Sequence, residues 1–267
     1  MAATDSSQSQ TIPSHSKTAW IIGASSGIGS VLARKLAMDG HRVAVSARSA
    51  QPLQELAADS ANMAGEIIAI PLDATSFEQF QQAAKQAEEI LGPIDTVLHN
   101  AAIYCPMPLS RFSASEANRI FSVNIETVTN GLDVCLNTLK KKPRQIIITT
   151  SPSGYRGMPG GGAYGASKAA LITLAEGFHA EMKAIGIDLR IINPGFVDTP
   201  LTSSNRFHMP FLMSAEEAAG RILKKFWKGP FEIYFPKRMI LPLKIMRILP
   251  TGLLLRLSKK LTPPDGK

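Results

Sequence analysis

Thr18-Ala19-Trp20-Ile21-Ile22-Gly23-Ala24-Ser25-Ser26-Gly27-Ile28-Gly29 is the stretch whose reading decides the fold. A short apolar run ends on a glycine cluster, and a helical apolar pattern over Ile28–Met38 follows at once. Glycines at Gly23, Gly27 and Gly29 let the chain turn sharply and bring backbone N–H groups close to an anion. The helix N-terminus behind them adds its free donors and the positive end of its dipole. With a strand before and a helix after, in the first βα unit, Gly23, Ser25, Ser26, Gly27, Ile28 and Gly29 are candidates to cradle a pyrophosphate.

Working outward, β-rich runs recur at Arg42–Ala47, Ile67–Leu72, Thr96–His99, Gln145–Thr150, Leu189–Ile192 and Glu232–Phe235. They are too continuously apolar for a sheet with one wet face, which predicts parallel strands covered on both sides. Helical patterns at Phe77–Leu91, Ala114–Leu139 and Tyr164–Ala184 lie between them. The alternation predicts an α/β fold, a doubly wound parallel sheet of about seven strands in a single domain.

Composition agrees with that class. The 267 residues are 45% hydrophobic and 19% charged, enough for a sizeable core. Cys105 and Cys135 have neither disulfide-framework nor metal-type spacing, so no metal site and a reducing, cytoplasmic setting are expected. Residues 1–16 are polar and Ser-rich, without an apolar signal region, and read as a disordered tail ahead of a domain at 17–236. No apolar run is long enough to span a membrane. Lys and Arg outnumber Asp and Glu by 29 to 21, a net charge of +8, and the excess gathers at the C-terminus.

The spacing G-x-x-x-G-x-G resembles the glycine motif of the short-chain dehydrogenase/reductase family, with Ile22 where that family often has Thr. Further motifs in order carry the resemblance as far as Thr199, and the strand Glu232–Phe235 fits the family's last strand. It implies a Rossmann-type domain and hydride transfer between a nicotinamide cofactor and a carbonyl or alcohol. After the second strand, Ala47 stands where an acid would bind a ribose hydroxyl, and Arg48 follows. A guanidinium can hold a 2′-phosphate through two charged hydrogen bonds, so NADP(H) is favoured over the alternative, NAD(H). The resemblance also implies adenine contact by Asp73, and cofactor contact by Asn100 and Ala101. His99 and Ala102 depart from the family's N-N-A-G at that point.

Tyr164 and Lys168 stand one helical turn apart on one face, where a nearby cation is expected to lower the phenol's pKa. The resemblance makes Tyr164 the general acid or base, Lys168 the anchor of the nicotinamide ribose, and Ser151 the donor that orients the substrate oxygen. Ser153 competes with Ser151, but Gly154 and Gly157 match the family's spacing when Ser151 is catalytic. Asn124 matches an asparagine whose backbone holds a water in a proton relay. Pro194, Gly195, Val197 and Thr199 match the segment that holds the nicotinamide carboxamide. The family is commonly dimeric or tetrameric, so a homodimer or homotetramer is expected.

Past that motif, Phe207, Met209, Phe211 and Met213 make an apolar segment read as a lid over a lipophilic substrate, or else as packing onto the domain. His208 reads as a surface or packing histidine. Residues 237–267 form a basic extension. Between Lys237 and Leu261 stand seven Lys or Arg and no acid among Leu, Ile and Met. Such a stretch suits peripheral contact with an anionic membrane, a subunit contact, or a cover over the cleft. Pro242 and Pro250 are expected to break it into short helices. Nucleic acid is not expected as a partner, because no aromatics interleave the cations.

Overall fold

The computed structural model describes residues 16–203, 205 and 208–261, the side chains of 257–261 excepted. Of the expected N-terminal tail only Ser16 falls within them; the remainder lies outside the described residues.

Seven strands form one parallel sheet in the order β3-β2-β1-β4-β5-β6-β9. They are β1 (Thr18–Ile22), β2 (Arg42–Ser46), β3 (Glu66–Ala69), β4 (Thr96–His99), β5 (Gln145–Thr149), β6 (Asp188–Pro194) and β9 (Glu232–Phe235). A short parallel pair, β7 (Val197–Asp198) with β8 (Met213–Ser214), lies outside the sheet. Winding runs outward from β1 to β3, then restarts at β4 on the other side of β1. The crevice beyond the carboxyl ends of β1 and β4 is thus the switch point where ligands bind in open α/β sheets.

Both faces are covered, as the continuous apolar runs require. Successive strand residues point to opposite faces. Trp20 and Ile22 join the layer under α3 (Phe77–Leu91), α5 (Thr127–Asn137) and α6 (Gly162–Ala184). Ala19 and Ile21 join the layer under α1 (Gly27–Met38), α2 (Ala50–Asp59) and α7 (Ala215–Phe226).

Three expectations need correction. Ala114–Leu139 is not one continuous α-helix. It is α4 (Ala114–Phe121), a π turn at Ser122–Glu126, and α5. Nor does Pro242 break the tail, since it sits inside α8 (Lys237–Arg247). Its missing N–H removes one helical bond, but the helix is held from outside, with Ile240 fully buried and Lys244 and Arg247 paired to Glu232 and Glu176. Pro250 does separate α8 from α9 (Thr251–Leu261). Finally, Met213 belongs to β8 and packs in the core under α7, so it is no part of a lid.

His99 closes β4 with its ring buried and neither ring nitrogen hydrogen-bonded to the protein. Room for the imidazole exists because Gly131 has no side chain; a Cβ there would lie 1.9 Å from the ring. Burial pulls the pKa of His99 down to about 4, so the folded protein holds it neutral while the unfolded chain protonates near 6.5. Its contribution to stability is therefore complete above about 6.5 and lost as pH falls toward 4, on the order of 3 kcal/mol. His99→Asn should flatten that part of the pH–stability curve in urea unfolding between pH 4 and 7. A variant curve parallel to wild type would refute this.

Candidate active site

The site is assembled from the ends of strands. Gly23 leaves β1 at φ +90° with its backbone pressed on β4's exit, where a Cβ would lie 2.4 Å from the Ala101 nitrogen. The turn then delivers Ser26 as N-cap of α1 without spending its hydroxyl on the cap, and the first turn carries no acid. The helix's leading N–H groups are left as anion donors. Gly27, at φ +58°, faces the Thr199 side chain closely enough that a Cβ would touch its methyl at 2.9 Å. The glycine turn and the segment after β6 thus meet across one crevice. A donor set of this kind, with no competing acid, fits the diphosphate of a dinucleotide.

Asn100 ties this crevice together. Its Nδ2 donates to the Gly23 carbonyl at 2.8 Å, and its Oδ1 accepts from Thr149 Oγ1 at 3.0 Å. Three strand ends are therefore locked by one amide. Thr149 was not legible as a site residue, because nothing marks a strand-end Thr until its partner is known. Arg48 is exposed at the end of β2, with no acid beside it in sequence. Asp73 lies near enough to feel its charge. Hydrogen bonding from Thr75 holds the Asp73 carboxyl below its ordinary range against burial, and Arg48 adds to that effect.

The three candidate catalytic side chains converge on the same end of the sheet. Ser151 follows β5 and caps a short turn, its Oγ 2.6 Å from Ser153 Oγ and accepting from the Ser153 N–H at 3.2 Å. Tyr164 lies in the first turn of α6 and hydrogen-bonds to Ser151. Lys168, one turn on, donates Nζ to the Thr149 carbonyl at 2.9 Å and sits 5.7 Å from the Tyr164 ring centre. Asn124 is fully buried in the π turn. Its side chain takes the Ile103 N–H at 2.8 Å and donates to the Ile103 carbonyl and to Ser167 Oγ, both at 3.0 Å. Ser167 in turn donates to the Tyr164 carbonyl at 2.7 Å, so the π turn is pinned to α6 between Tyr164 and Lys168.

The electrostatics differ from the expected lowering of the phenol. Burial pushes Tyr164 up to about 12, with the Ser151 hydrogen bond working the other way and Tyr104 adding to the rise. Burial likewise draws Lys168 down to about 7. The same exclusion of water disfavours both charges, and an ammonium already suppressed near neutrality gives the phenolate little help. Burial thus favours the protonated phenol of Tyr164 at neutral pH, the form that can donate a hydrogen bond.

Beside Tyr164 stands a wall the motif reading passed over. Tyr104 lies edge-on to the Tyr164 ring at 5.0 Å, and Ile103, Cys105, Met107, Ile120 and Phe121 pack around them. The apolar segment after Asn100-Ala101-Ala102 was its signal. The predicted lid is dispersed. Phe207 lies outside the described residues, and Met209 is half-buried with its Sδ 3.2 Å from Asn205 Nδ2. Phe211, 52% exposed, and Leu212 line a groove of about 1080 Å³ rimmed by Arg221, Lys224 and Arg238. His208 is exposed. Pro194 ends β6, and Gly195 donates its N–H to Phe235 at 2.7 Å. Val197 is buried in β7.

A model of the short chain dehydrogenase family matches residues 17–209. The chain belongs to the short-chain dehydrogenase/reductase family. It is an oxidoreductase, and NAD(P)-dependent hydride transfer is the reaction of that family. Among similar proteins, an uncharacterized oxidoreductase of Myxococcus xanthus is 32% identical over 239 residues, covering 89% of this chain and 94% of that one. The ketoacyl reductase HetN of Nostoc is 30% identical over 198 residues, covering 73% and 69%. An alcohol dehydrogenase from the archaeon Thermococcus sibiricus, solved with 5-hydroxy-NADP, superposes with TM-score 0.72 at 29% identity, covering 82% and 95%. A short-chain dehydrogenase of Burkholderia phymatum, solved with NAD, has the same fold at TM-score 0.79 and 21% identity, covering 90% and 95%.

The Asn100 clamp yields a direct test. Asn100→Ala should weaken nicotinamide-cofactor binding about tenfold, the worth of one to two hydrogen bonds, and Thr149→Val should do so less. Fluorescence titration with NADH and NADPH measures both; unchanged affinity in Asn100→Ala would show that the clamp does not shape the cofactor crevice.

Proposed function

We propose that this oxidoreductase is an NADP(H)-dependent reductase of a lipophilic ketone or aldehyde that works against an anionic membrane surface. The observation that carries the reading is the convergence of Ser151, protonated Tyr164 and Lys168 beside the apolar Tyr104–Met107 wall. A bound nicotinamide would supply hydride. Ser151 would donate a hydrogen bond to the carbonyl oxygen and orient it. Tyr164 would deliver the proton, since a partly buried phenol pushed up to about 12 holds its proton before reaction. Lys168, fixed by the Thr149 carbonyl, would hold the nicotinamide ribose. The π turn of Asn124 departs from the helical ladder, as a backbone carbonyl that holds a relay water requires. Gly23, Ser25, Ser26, Gly27, Ile28, Gly29, Asp73, Asn100, Ala101, Pro194, Gly195, Val197 and Thr199 are the remaining proposed cofactor contacts.

The preference for NADP(H) rests on Arg48, exposed at the end of β2 with no acid adjacent in sequence; Asp73, the acid that feels its charge, is assigned to the adenine. The name of HetN, a ketoacyl reductase, fits carbonyl reduction, and the Thermococcus alcohol dehydrogenase was solved with an NADP derivative and the Burkholderia phymatum protein with NAD. We also propose the homodimer or homotetramer common in the family, in a reducing, cytoplasmic setting.

The membrane contact rests on the outer face of the last two helices. Leu241, Ile245, Ile248, Leu253 and Leu255 are exposed, Ile248 at 81%, in a stretch from Lys237 to Leu261 that contains cations and no acid. Within it, Lys244 and Arg247 pair with Glu232 and Glu176. No helix of the described residues is long and apolar enough to cross a membrane. Interfacial contact, with aliphatics at the acyl boundary and cations at the head groups, is what this pattern suits.

Three outcomes test the proposal. Tyr164→Phe should bind cofactor like wild type and lose about 99% or more of ketone reduction, as removal of a general acid does; retained turnover would overturn the catalytic assignment. Arg48→Asp should weaken NADPH binding about 10- to 100-fold, losing a charged phosphate contact, and leave NADH nearly unchanged. Equal losses would remove Arg48 as the phosphate reader. Replacing the five exposed aliphatics by Ser should abolish flotation with phosphatidylglycerol vesicles, and equal flotation would remove the membrane contact.

A further inference from the structure

Outside the motifs, the polar network around Glu232 is unexplained by the reaction. Glu232, in the last strand, turns a largely buried carboxylate onto three partners. Its Oε1 accepts from Asn193 Nδ2 at 2.7 Å and from the Tyr155 hydroxyl, and its Oε2 pairs with Lys244 Nζ of α8 at 2.5 Å. Buried carboxylates are costly unless each lone pair finds a donor. Burial here opposes ionisation, yet these donors hold the group below its ordinary pKa. Such an investment in one carboxylate calls for a reason.

The partners supply one, because each leads to the catalytic turn. Asn193 Oδ1 accepts from Thr150 Oγ1 at 2.5 Å, and Thr150 immediately precedes Ser151. Tyr155 closes the short turn that begins at Ser151. On its other side the turn presses on α6, where a Cβ at Gly154 would come within 2.6 Å of the Lys168 carbonyl carbon. The serine turn is thus gripped between Lys168's own backbone and the Glu232 network. Asn193 also leads into Pro194 and Gly195, the proposed nicotinamide segment.

The network's far end is helix α8. Besides Lys244, Arg156 Nη2 donates from just past the serine turn to the Leu249 carbonyl at 2.8 Å. Arg247 stacks over the Tyr155 ring at 5.3 Å and pairs with Glu176 of α6 at 3.0 Å. The inner face of α8 therefore holds the serine turn, while its outer face carries the exposed aliphatics.

We propose that Glu232 is a positioning residue that sets the place of Ser151 through Tyr155, Asn193 and Thr150, and that Lys244 couples this placement to α8. The idea rests on the reductase reading, in which Ser151 orients the substrate oxygen. A misplacement of that oxygen by an ångström is enough to cost a large rate factor without changing cofactor affinity.

The test uses the full chain. Glu232→Gln, nearly isosteric, should lower kcat for a lipophilic ketone about tenfold or more while the NADPH Kd stays within about twofold. Lys244→Met should lower kcat in the same direction, and the double variant should lose no more than Glu232→Gln alone, because both cut one path. Hydrogen exchange should quicken at residues 150–156 and not in β1 to β4. A kcat within twofold of wild type with unchanged exchange at 150–156 would overturn the proposal, as would strictly multiplicative losses in the double variant. Should Glu232→Gln not fold, Lys244→Met with Tyr155→Phe carries the same comparison. If wild type binds NADPH but reduces no carbonyl, the reductase reading fails by itself. Exchange at 150–156 then still decides whether Glu232 holds the turn.

Discussion

The hydrogen bond from Asn100 Nδ2 to the Gly23 carbonyl fastens the place where the sheet reverses its direction of winding. Everything functional hangs from that point. Through Gly23 it shapes the glycine turn. Through Thr149 it reaches the strand whose last carbonyl anchors Lys168 and whose continuation is Ser151. A single half-buried amide with donor and acceptor both used thus relates the crevice proposed for an anionic cofactor to the groups proposed to handle the substrate's proton. An amide suits this position because it gives one bond in each direction, which neither an aliphatic side chain nor a carboxylate of similar size does.

Burial sets the chemistry around this frame. Tyr164 and Lys168 are each displaced toward neutrality by the same exclusion of water, so the free site keeps a protonated phenol ready and does not store a phenolate. The apolar wall of Tyr104 and its neighbours creates that dryness, and it is also the surface a lipophilic carbonyl compound would meet. Dryness and the proposed substrate preference share one cause.

Much of the fold was legible because parallel strands covered on both sides leave continuous apolar runs, and all seven of the sheet's strands stood within a few residues of their expected places. The π turn was not, since one extra residue barely disturbs a 3.6-residue periodicity; only the Asn124 contacts with Ile103 and Ser167 explain it. Helix α7 was not foreseen, although Ser214-Ala215-Glu216-Glu217 caps it, the Ser hydroxyl taking the Glu217 N–H at 3.1 Å. Pro242 misled because a helix held by tertiary contacts tolerates what an isolated one does not. Residues carried by ordered motifs could be named in advance, whereas Thr149, Tyr104 and Glu232 acquire meaning only from partners distant in sequence.

At the centre stands a claim about bond making: hydride passes directly from the nicotinamide to a carbonyl carbon beside Tyr164. The sharpest measurement is reduction of a lipophilic ketone by wild-type protein with NADPH carrying deuterium at one or the other prochiral C4 position. The account predicts deuterium on the carbinol carbon from one isotopologue and none from the other, with no exchange into solvent. Label lost to water, or deuterated carbinol from both isotopologues alike, would contradict it.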